Sequence, residues 1–198
     1  APEMIIIRDY NNVQYWPVWH KDMNADGGFD RKMYLNDNGG VTGTDQRRVT
    51  SVSTTTFGLP EGASSGGYSE SNHIGQEHIA YCFHSVTGYS KFGSYTGNGS
   101  ANHAITGLGF KPAFLLIKKS SGVHDWVITD NTRNPNDPLT LLANSSAAET
   151  NQNGDDVTSF DADGFKVGTN GRTNGNTETF IYMAFADKRE YAYWLDQS

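Results

Sequence analysis

Turn signals are spaced so closely along this chain that they leave little room for a long helix. Asn-Gly, the dipeptide most typical of two-residue β-hairpin turns, occurs five times, at positions 38–39, 98–99, 153–154, 170–171 and 174–175. No stretch of helical length carries an apolar stripe of 3.6-residue period that is free of glycine and proline. Residues 144–150 could form one helical turn and nothing longer. The sequence therefore predicts an all-β protein.

Short apolar or alternating runs lie between these turns and are the predicted strands. An aromatic content of 12% supports a packed core, because disordered chains usually lack aromatic residues. The predicted strands cover residues 3–8, 14–19, 32–36, 78–83, 113–118, 125–129, 139–143, 164–168 and 179–185.

An internal repeat organises these strands. Pro2–Arg8 matches Pro112–Lys118, since in both a proline opens an apolar run that a cation closes, at a shift of 112 − 2 = 110 positions. Trp16 falls on Trp126 at the same shift. Further matches follow in the same order: Tyr34–Asn36 with Leu142–Asn144, Phe57–Leu59 with Phe165–Val167, and Ile79–Phe83 with Ile181–Phe185. The pattern predicts tandem β-sandwich repeats, the first over residues 1–87 and the second over residues 88–198.

The two copies differ at their beginning. The second copy is preceded by a lead segment, residues 88–112, which has no counterpart before Pro2. We therefore expect the first copy to lack its opening strand. Either the chain is a fragment or processed piece of a longer repeat array, or another subunit supplies the strand, because an unpaired strand edge invites strand addition.

The lead segment also carries a family resemblance. Gly88–Gly99 reads Gly-Tyr-Ser-Lys-Phe-Gly-Ser-Tyr-Thr-Gly-Asn-Gly and resembles a repeat unit of tail-fibre-like structural proteins of marine phages. The resemblance covers residues 88–187 and, in weaker form, residues 2–87. Other stretches fit the same unit: Gly109–Phe114, Trp126, Ala143–Ser146, Asp163–Phe165 and Phe180–Tyr182. It implies a virion-surface protein built from jelly-roll or lectin-like β-sandwich repeats, and it supplies no catalytic residues.

We therefore expect a non-catalytic structural or adhesive component of a phage tail fibre or a similar virion surface appendage. Such a protein works outside the cell as a homo-oligomer or with other virion proteins, and it attaches to its host, where a surface glycan is the candidate receptor. A carbohydrate-binding module is the first alternative and a polysaccharide-degrading enzyme the second.

Charge and hydropathy disfavour two other classes of function. The net charge is −7 and the basic residues are scattered, whereas nucleic-acid binding normally needs a basic face to displace counterions from phosphate. The longest apolar runs, Met4–Ile7 and Ala113–Ile117, are far too short to cross a bilayer. We therefore expect neither nucleic-acid binding nor membrane insertion.

One loop resembles the start of a calcium-binding loop. Asp22, Asn24, Asp26 and Asp30 place oxygen ligands at alternating positions, with a glycine sixth. The twelfth position is Met33, where such loops carry glutamate. Calcium is therefore a possible cofactor, and the alternative is a polar hairpin turn.

Aromatic side chains are the candidate sugar-binding residues, because exposed rings can stack on sugars. The candidates are Tyr15, Trp19, Tyr191, Tyr193 and Trp194. We expect the repeated tryptophans, Trp16 and Trp126, to lie in the core. We also expect a buried, inert thiol at Cys82, the single cysteine.

Signals of catalysis are weak. The six histidines have no metal-ligand spacing, and neither a Gly-x-Ser-x-Gly elbow nor a phosphate-binding loop is present. A glycosidase would need two facing carboxylates, and the acids at 155–156, 161 and 163 lie in turn-like contexts. We therefore expect no enzyme.

Overall fold

The computed structural model describes residues 1–23, 28–43, 48–62, 69–133, 138–150 and 156–187. Within these ranges the chain forms short antiparallel strands and two single-turn helices, so the predicted all-β class is confirmed. In chain order the elements are β1 (Met4–Asp9), β2 (Pro17–His20), β3 (Met33–Tyr34), β4 (Ser51–Val52), β5 (Phe57–Gly58), α1 (Ser69–Asn72), β6 (His78–Phe83), β7 (Ser90–Thr96), β8 (His103–Thr106), β9 (Pro112–Lys119), β10 (Val127–Asp130), β11 (Leu141–Leu142), β12 (Val157–Asp161), β13 (Gly164–Val167), α2 (Gly171–Asn174) and β14 (Thr179–Ala186).

The strands form two large sheets and two small ones. The first large sheet has the order β3-β2-β1-β6, and β4 and β5 form a separate hairpin. The second large sheet has the order β11-β10-β9-β14-β7, and β12, β13 and β8 form the remaining sheet in that order. The first half of the chain therefore builds four-stranded and two-stranded sheets, and the second half builds sheets of five and three strands.

Strand registers agree between the halves, pair by pair. Met4 lies opposite His20 and Phe83, and the residue that matches it in sequence, Phe114, lies opposite Asp130 and Phe185. The small hairpins agree as well, because Val52 pairs with Phe57 as Phe160 pairs with Phe165. The two halves therefore share these strand registers, whereas their division into tandem sandwich repeats stays a prediction.

A side chain that caps a strand end is also duplicated. The backbone N–H of Trp16 donates to Asn36 Oδ1 at 2.8 Å, and that of Trp126 donates to Asn144 Oδ1 at the same distance. Both tryptophans stand directly before a strand. The repeated Trp and Asn positions of the sequence therefore correspond to one recurring local contact.

The two large sheets pack face to face. Alternation along β1 sends Met4 and Ile6 into a buried cluster shared with Leu116, Ile181 and Met183 of the second half. Ile5 and Ile7 point the other way, into a cluster that β4 and β5 cover. The opposite face of the second large sheet packs on β8, β12 and β13. The fold is thus a stack of sheets whose central layer of side chains joins the two halves.

Several turn predictions were wrong. Asn170-Gly171 does not form a hairpin but begins α2, where the Asn170 side chain caps the helix by accepting from the Arg172 N–H. The helical turns also lie at α1 and α2 and not within residues 144–150, which form no helix.

Candidate functional site: two open sheet edges

The first half has two strand edges whose equivalents in the second half are covered by further strands. In the second half, β7 pairs along β14 over seven residue pairs, and β8 pairs along β13 over four. The strands that match β14 and β13 are β6 and β5. Within the described ranges, β6 pairs only with β1 and β5 pairs only with β4. Both edges are therefore open at the positions that the lead segment fills in the second half.

Burial differs accordingly. Ile79 and Tyr81 of β6 are 38% and 45% exposed, whereas their counterparts on β14, Ile181 and Met183, are 1% and 8% exposed. Cys82 is also exposed, although its counterpart Ala184 is fully buried. An apolar strand that is exposed along one edge is a common site of strand addition.

The open edge of β6 can accept backbone hydrogen bonds. The carbonyls of Glu77 and Phe83 accept from the N–H groups of Tyr10 and Glu3, so the odd-numbered residues of β6 direct their backbone groups at β1. Because these groups alternate along a strand, Ala80 and Cys82 direct theirs away from the sheet. A further strand could pair with these groups.

A cleft of about 520 Å³ separates the two open edges. Phe57 of β5, Cys82 and Phe83 of β6, and the first two residues of the chain contribute to its walls. Threonines and one histidine complete the lining: Thr54, Thr55, Thr56 and His84. As far as the described residues form them, the walls are mainly apolar and contain no carboxylate.

The matching region of the second half is filled. Leu108 and Phe110, at the end of the lead segment, are 5% and 8% exposed and pack in one cluster with Ala184 and Phe165. Asp163 fixes this segment, because its carboxylate accepts from the N–H groups at positions 107 and 109. The cleft thus lies where the second half places two apolar side chains.

The position predicted for Cys82 was wrong. We expected a buried thiol, but the residue is exposed, because among the described residues no strand pairs with the outer edge of β6. Partial burial in the wall of the cleft still raises its pKa above the usual value. The thiol is therefore accessible but mainly protonated at neutral pH.

The chain matches a known domain family. The model of a domain family of unknown function, DUF7483, matches residues 1–189, a range that includes both halves. The chain belongs to the DUF7483 family. Neither the curated proteins nor the solved structures provide a match.

The two candidate sugar-binding residues that the structure of this DUF7483 domain describes, Tyr15 and Trp19, are not brought together. Tyr15 is 48% exposed, stacks on Tyr34 with ring centroids 4.5 Å apart, and borders a shallow hollow with Val13 and Asn36. Trp19 is only 5% exposed and stacks on Phe29, so the exposed ring that its predicted role requires is not found. Its side chain points to the β4-β5 side of the sheet, which is covered. The remaining candidates, Tyr191, Tyr193 and Trp194, lie outside the described residues.

The calcium prediction is only partly covered by the structure. Asn24 and Asp26 lie outside the described residues, whereas Asp22 is exposed and Asp30 forms an ion pair with Arg31 at 3.8 Å. Among the described residues, no three His, Cys, Asp or Glu side chains are grouped as a metal site would require. Calcium binding stays a prediction.

Sequence reasoning predicted an unpaired strand edge in the first copy but missed the second edge and the cleft. β4 and β5 are only two residues long, and neither carries an alternating pattern long enough to signal a strand. The match of Phe57 with Phe165 was the available signal, because it implied that β5 should have a partner such as β8. Neither α1 nor α2 is long and apolar enough to cross a membrane.

Proposed function

We propose that this DUF7483 domain is a non-catalytic structural or adhesive module of an extended surface appendage, such as a phage tail fibre, where it takes part in host attachment. The observation that carries the proposal is the equivalent register of the two halves together with their shared central core. A module that packs on its own copy in this way can be added in series without a new interface for each unit.

Attachment by such an appendage depends on copy number. Contacts that are weak in one module become strong when many modules bind the same surface, because each later contact is effectively intramolecular. Strand pairing between subunits would hold the modules in a fixed order. The tail-fibre resemblance of Gly88–Gly99 supports a virion surface as the place of action.

The experiment that tests this proposal is a measurement of the mass of the assembled species by light scattering, with and without calcium. We expect a trimer or a larger assembly. If calcium increases the mass, the variant Asp30→Asn should remove that increase, whereas Asp37→Asn, in a different loop, should not. A monomer at all concentrations would contradict the appendage proposal and favour an isolated binding module.

A carbohydrate-binding module is the second candidate, and the exposed ring of Tyr15 favours it. Tyr15 is held flat against Tyr34 beside a hollow of about 220 Å³, which suits one sugar ring. We expect Tyr15→Ala to abolish binding on a glycan array. Tyr10→Ala is the matched control, since Tyr10 is 61% exposed and stacks on no other described aromatic ring. Equal binding by the two variants would contradict a sugar site at Tyr15.

A further inference from the structure

The lead segment of the second half shows what kind of segment fits the open edges of the first half. Three features of the first half are open together: the edge of β6, the edge of β5 and the cleft between them. In the second half one continuous segment, residues 90–110, covers all three equivalents. β7 covers the first, β8 covers the second, and Leu108 with Phe110 fills the third.

We propose that the first half binds an extended segment with the pattern of residues 88–110 as a donated pair of strands. One strand pairs antiparallel with β6, the next pairs with β5, and an apolar pair that follows them enters the cleft. The interaction rests on the repeat correspondence that also supports the proposed function. The proposal concerns the binding of one segment. Segment binding can therefore fail while the chain still assembles, and the chain can stay monomeric while the segment binds.

The register of the donated strand follows from the second half. Lys91 lies opposite Ala184 and Gly93 lies opposite Tyr182. The matching residues of β6 are Cys82 and Ala80, so a Lys91-like residue should lie opposite Cys82. Both β6 residues direct their backbone groups outward, as pairing at this edge requires.

The side chains of the donor can be specified from the same pairs. A Cβ atom at Gly93 would lie 2.6 Å from the Tyr182 hydroxyl oxygen, so the second half needs glycine there. Ala80 leaves that space open in the first half. The donor therefore tolerates a larger residue opposite Ala80, and its apolar pair must match Leu108 and Phe110.

The native Cys82 thiol gives a direct test of this register. The probe is a synthetic peptide with the sequence of residues 88–110 that carries Lys91→Cys, and the control peptide carries Phe92→Cys, whose side chain faces the opposite side of the strand. Each is mixed with the full chain in a glutathione redox buffer, whose oxidised form accepts the two electrons released when the disulfide forms. The mixed disulfide with Cys82 is measured by mass spectrometry.

We expect the Lys91→Cys peptide to give at least about tenfold more mixed disulfide than the control, because paired strands bring only that residue within disulfide distance. The peptide can also exchange into the second half, but no cysteine lies there to trap it. Equal yields from the two peptides would overturn the proposal. It would also be overturned if Cys82 crosslinked as readily to Cys82 of a second copy.

A matched pair of variants tests whether backbone pairing causes the selectivity. Ala80→Pro removes an outward-facing N–H and leaves the hydrogen bonds between β6 and β1 in place, as proline on an edge strand can. Ala80→Ser keeps the N–H. We expect Ala80→Pro to lose the tenfold preference and Ala80→Ser to retain it. Circular dichroism confirms that both variants fold, and a preference that survives in a folded Ala80→Pro chain would contradict strand addition.

Discussion

In the first half of the molecule the Arg48 guanidinium, 1% exposed, lies 2.5 Å from the Glu70 carboxylate. In the second half the corresponding positions carry Asp156, also 1% exposed, and Arg172, with 2.9 Å between the charged atoms. The shift between Arg48 and Asp156 is 108 positions, as for the hairpins beside them. The shift between Glu70 and Arg172 is 102, as for α1 and α2. The acid and the base have therefore exchanged places.

This exchange shows that the fold requires an ion pair at this position but does not determine which partner carries the acid. Each pair joins the short helix of its half to a residue that lies shortly before the first strand of a small sheet, so the position requires a buried bridge. Either polarity provides it, because a buried charge needs only an opposite charge and hydrogen bonds at the right distance. Backbone register has been retained between the halves where the side-chain chemistry has been reversed.

The largest effect that we expect is the loss of one partner in either pair. Asp156→Asn leaves the Arg172 guanidinium without its carboxylate in a largely buried site, and should lower the free energy of unfolding by about 3–5 kcal/mol. Glu70→Gln should do the same in the first half. Urea denaturation measures both. Lys166→Ala, which removes an exposed pair with Asp161, is the control and should cost at most about 1 kcal/mol.

Reversing the pair would sharpen the comparison. Glu70→Arg alone places two cations together and should be among the least stable variants. Adding Arg48→Asp copies the polarity of the second half, and should recover at least half of the loss in urea denaturation. If the double variant is no more stable than Glu70→Arg alone, then the surroundings of the first half select the polarity, and the two sites are not interchangeable.

A smaller, pH-dependent effect comes from a second pair of corresponding positions, His20 and Asp130. Burial at the sheet interface lowers the pKa of His20 to about 4. The unfolded chain therefore takes up a proton near pH 6.5 that the folded chain does not, and stability falls as the pH falls from 6.5 towards 4. Between pH 7 and pH 5 the loss should be about 2 kcal/mol.

His20→Asn tests this origin, because the amide keeps an acceptor for the Asp22 N–H but does not titrate. Urea midpoints at pH 7 and pH 5 should differ much less in the variant than in the parent chain. Asp130→Asn is the matched control. The pKa of Asp130 is lowered from 3.8, with hydrogen bonds from Arg133 and Thr132 responsible for the net fall although burial opposes it. Its contribution is lost only at lower pH, so this variant should keep the slope of the parent between pH 7 and pH 5.

These contrasts also explain how far the sequence could predict the structure. The matches that it revealed were backbone matches, such as Trp16 with Trp126, and they led to strands in equivalent registers. The burial of matched side chains was not predicted by these backbone matches. Trp126 is 1% exposed and donates its indole N–H to the Tyr34 carbonyl, whereas the matching Trp16 is half-buried under Arg8. Such differences depend on which sheet faces which, and strand periodicity alone does not specify that. Cys82 was placed wrongly for the same reason, because its pattern resembles that of a covered strand.

The smallest effect that we expect comes from Arg8 and Lys118, which correspond in sequence and differ in environment. Arg8 is exposed, whereas Lys118 is fully buried and its Nζ donates to the carbonyls of Lys119, Asn38 and Gly122, at 2.7, 3.2 and 3.4 Å. Burial lowers the pKa of Lys118 to about 8. The folded chain then loses this proton before the unfolded chain does, so stability should rise by about 1 kcal/mol between pH 7.5 and pH 9.

Lys118→Met should abolish that rise, and Arg8→Met should leave it unchanged. Urea denaturation at pH 7.5 and pH 9 measures both, and comparing each variant with the parent chain cancels the titration of Cys82. A rise that persists in Lys118→Met would show that another group carries the slope. The carbonyl of Asn38, one of the three acceptors, belongs to the first half. If the increase in stability disappears in Lys118→Met, it comes from proton loss at Lys118. Because Lys118 contacts both halves, the stability of their packing then depends on pH near neutrality.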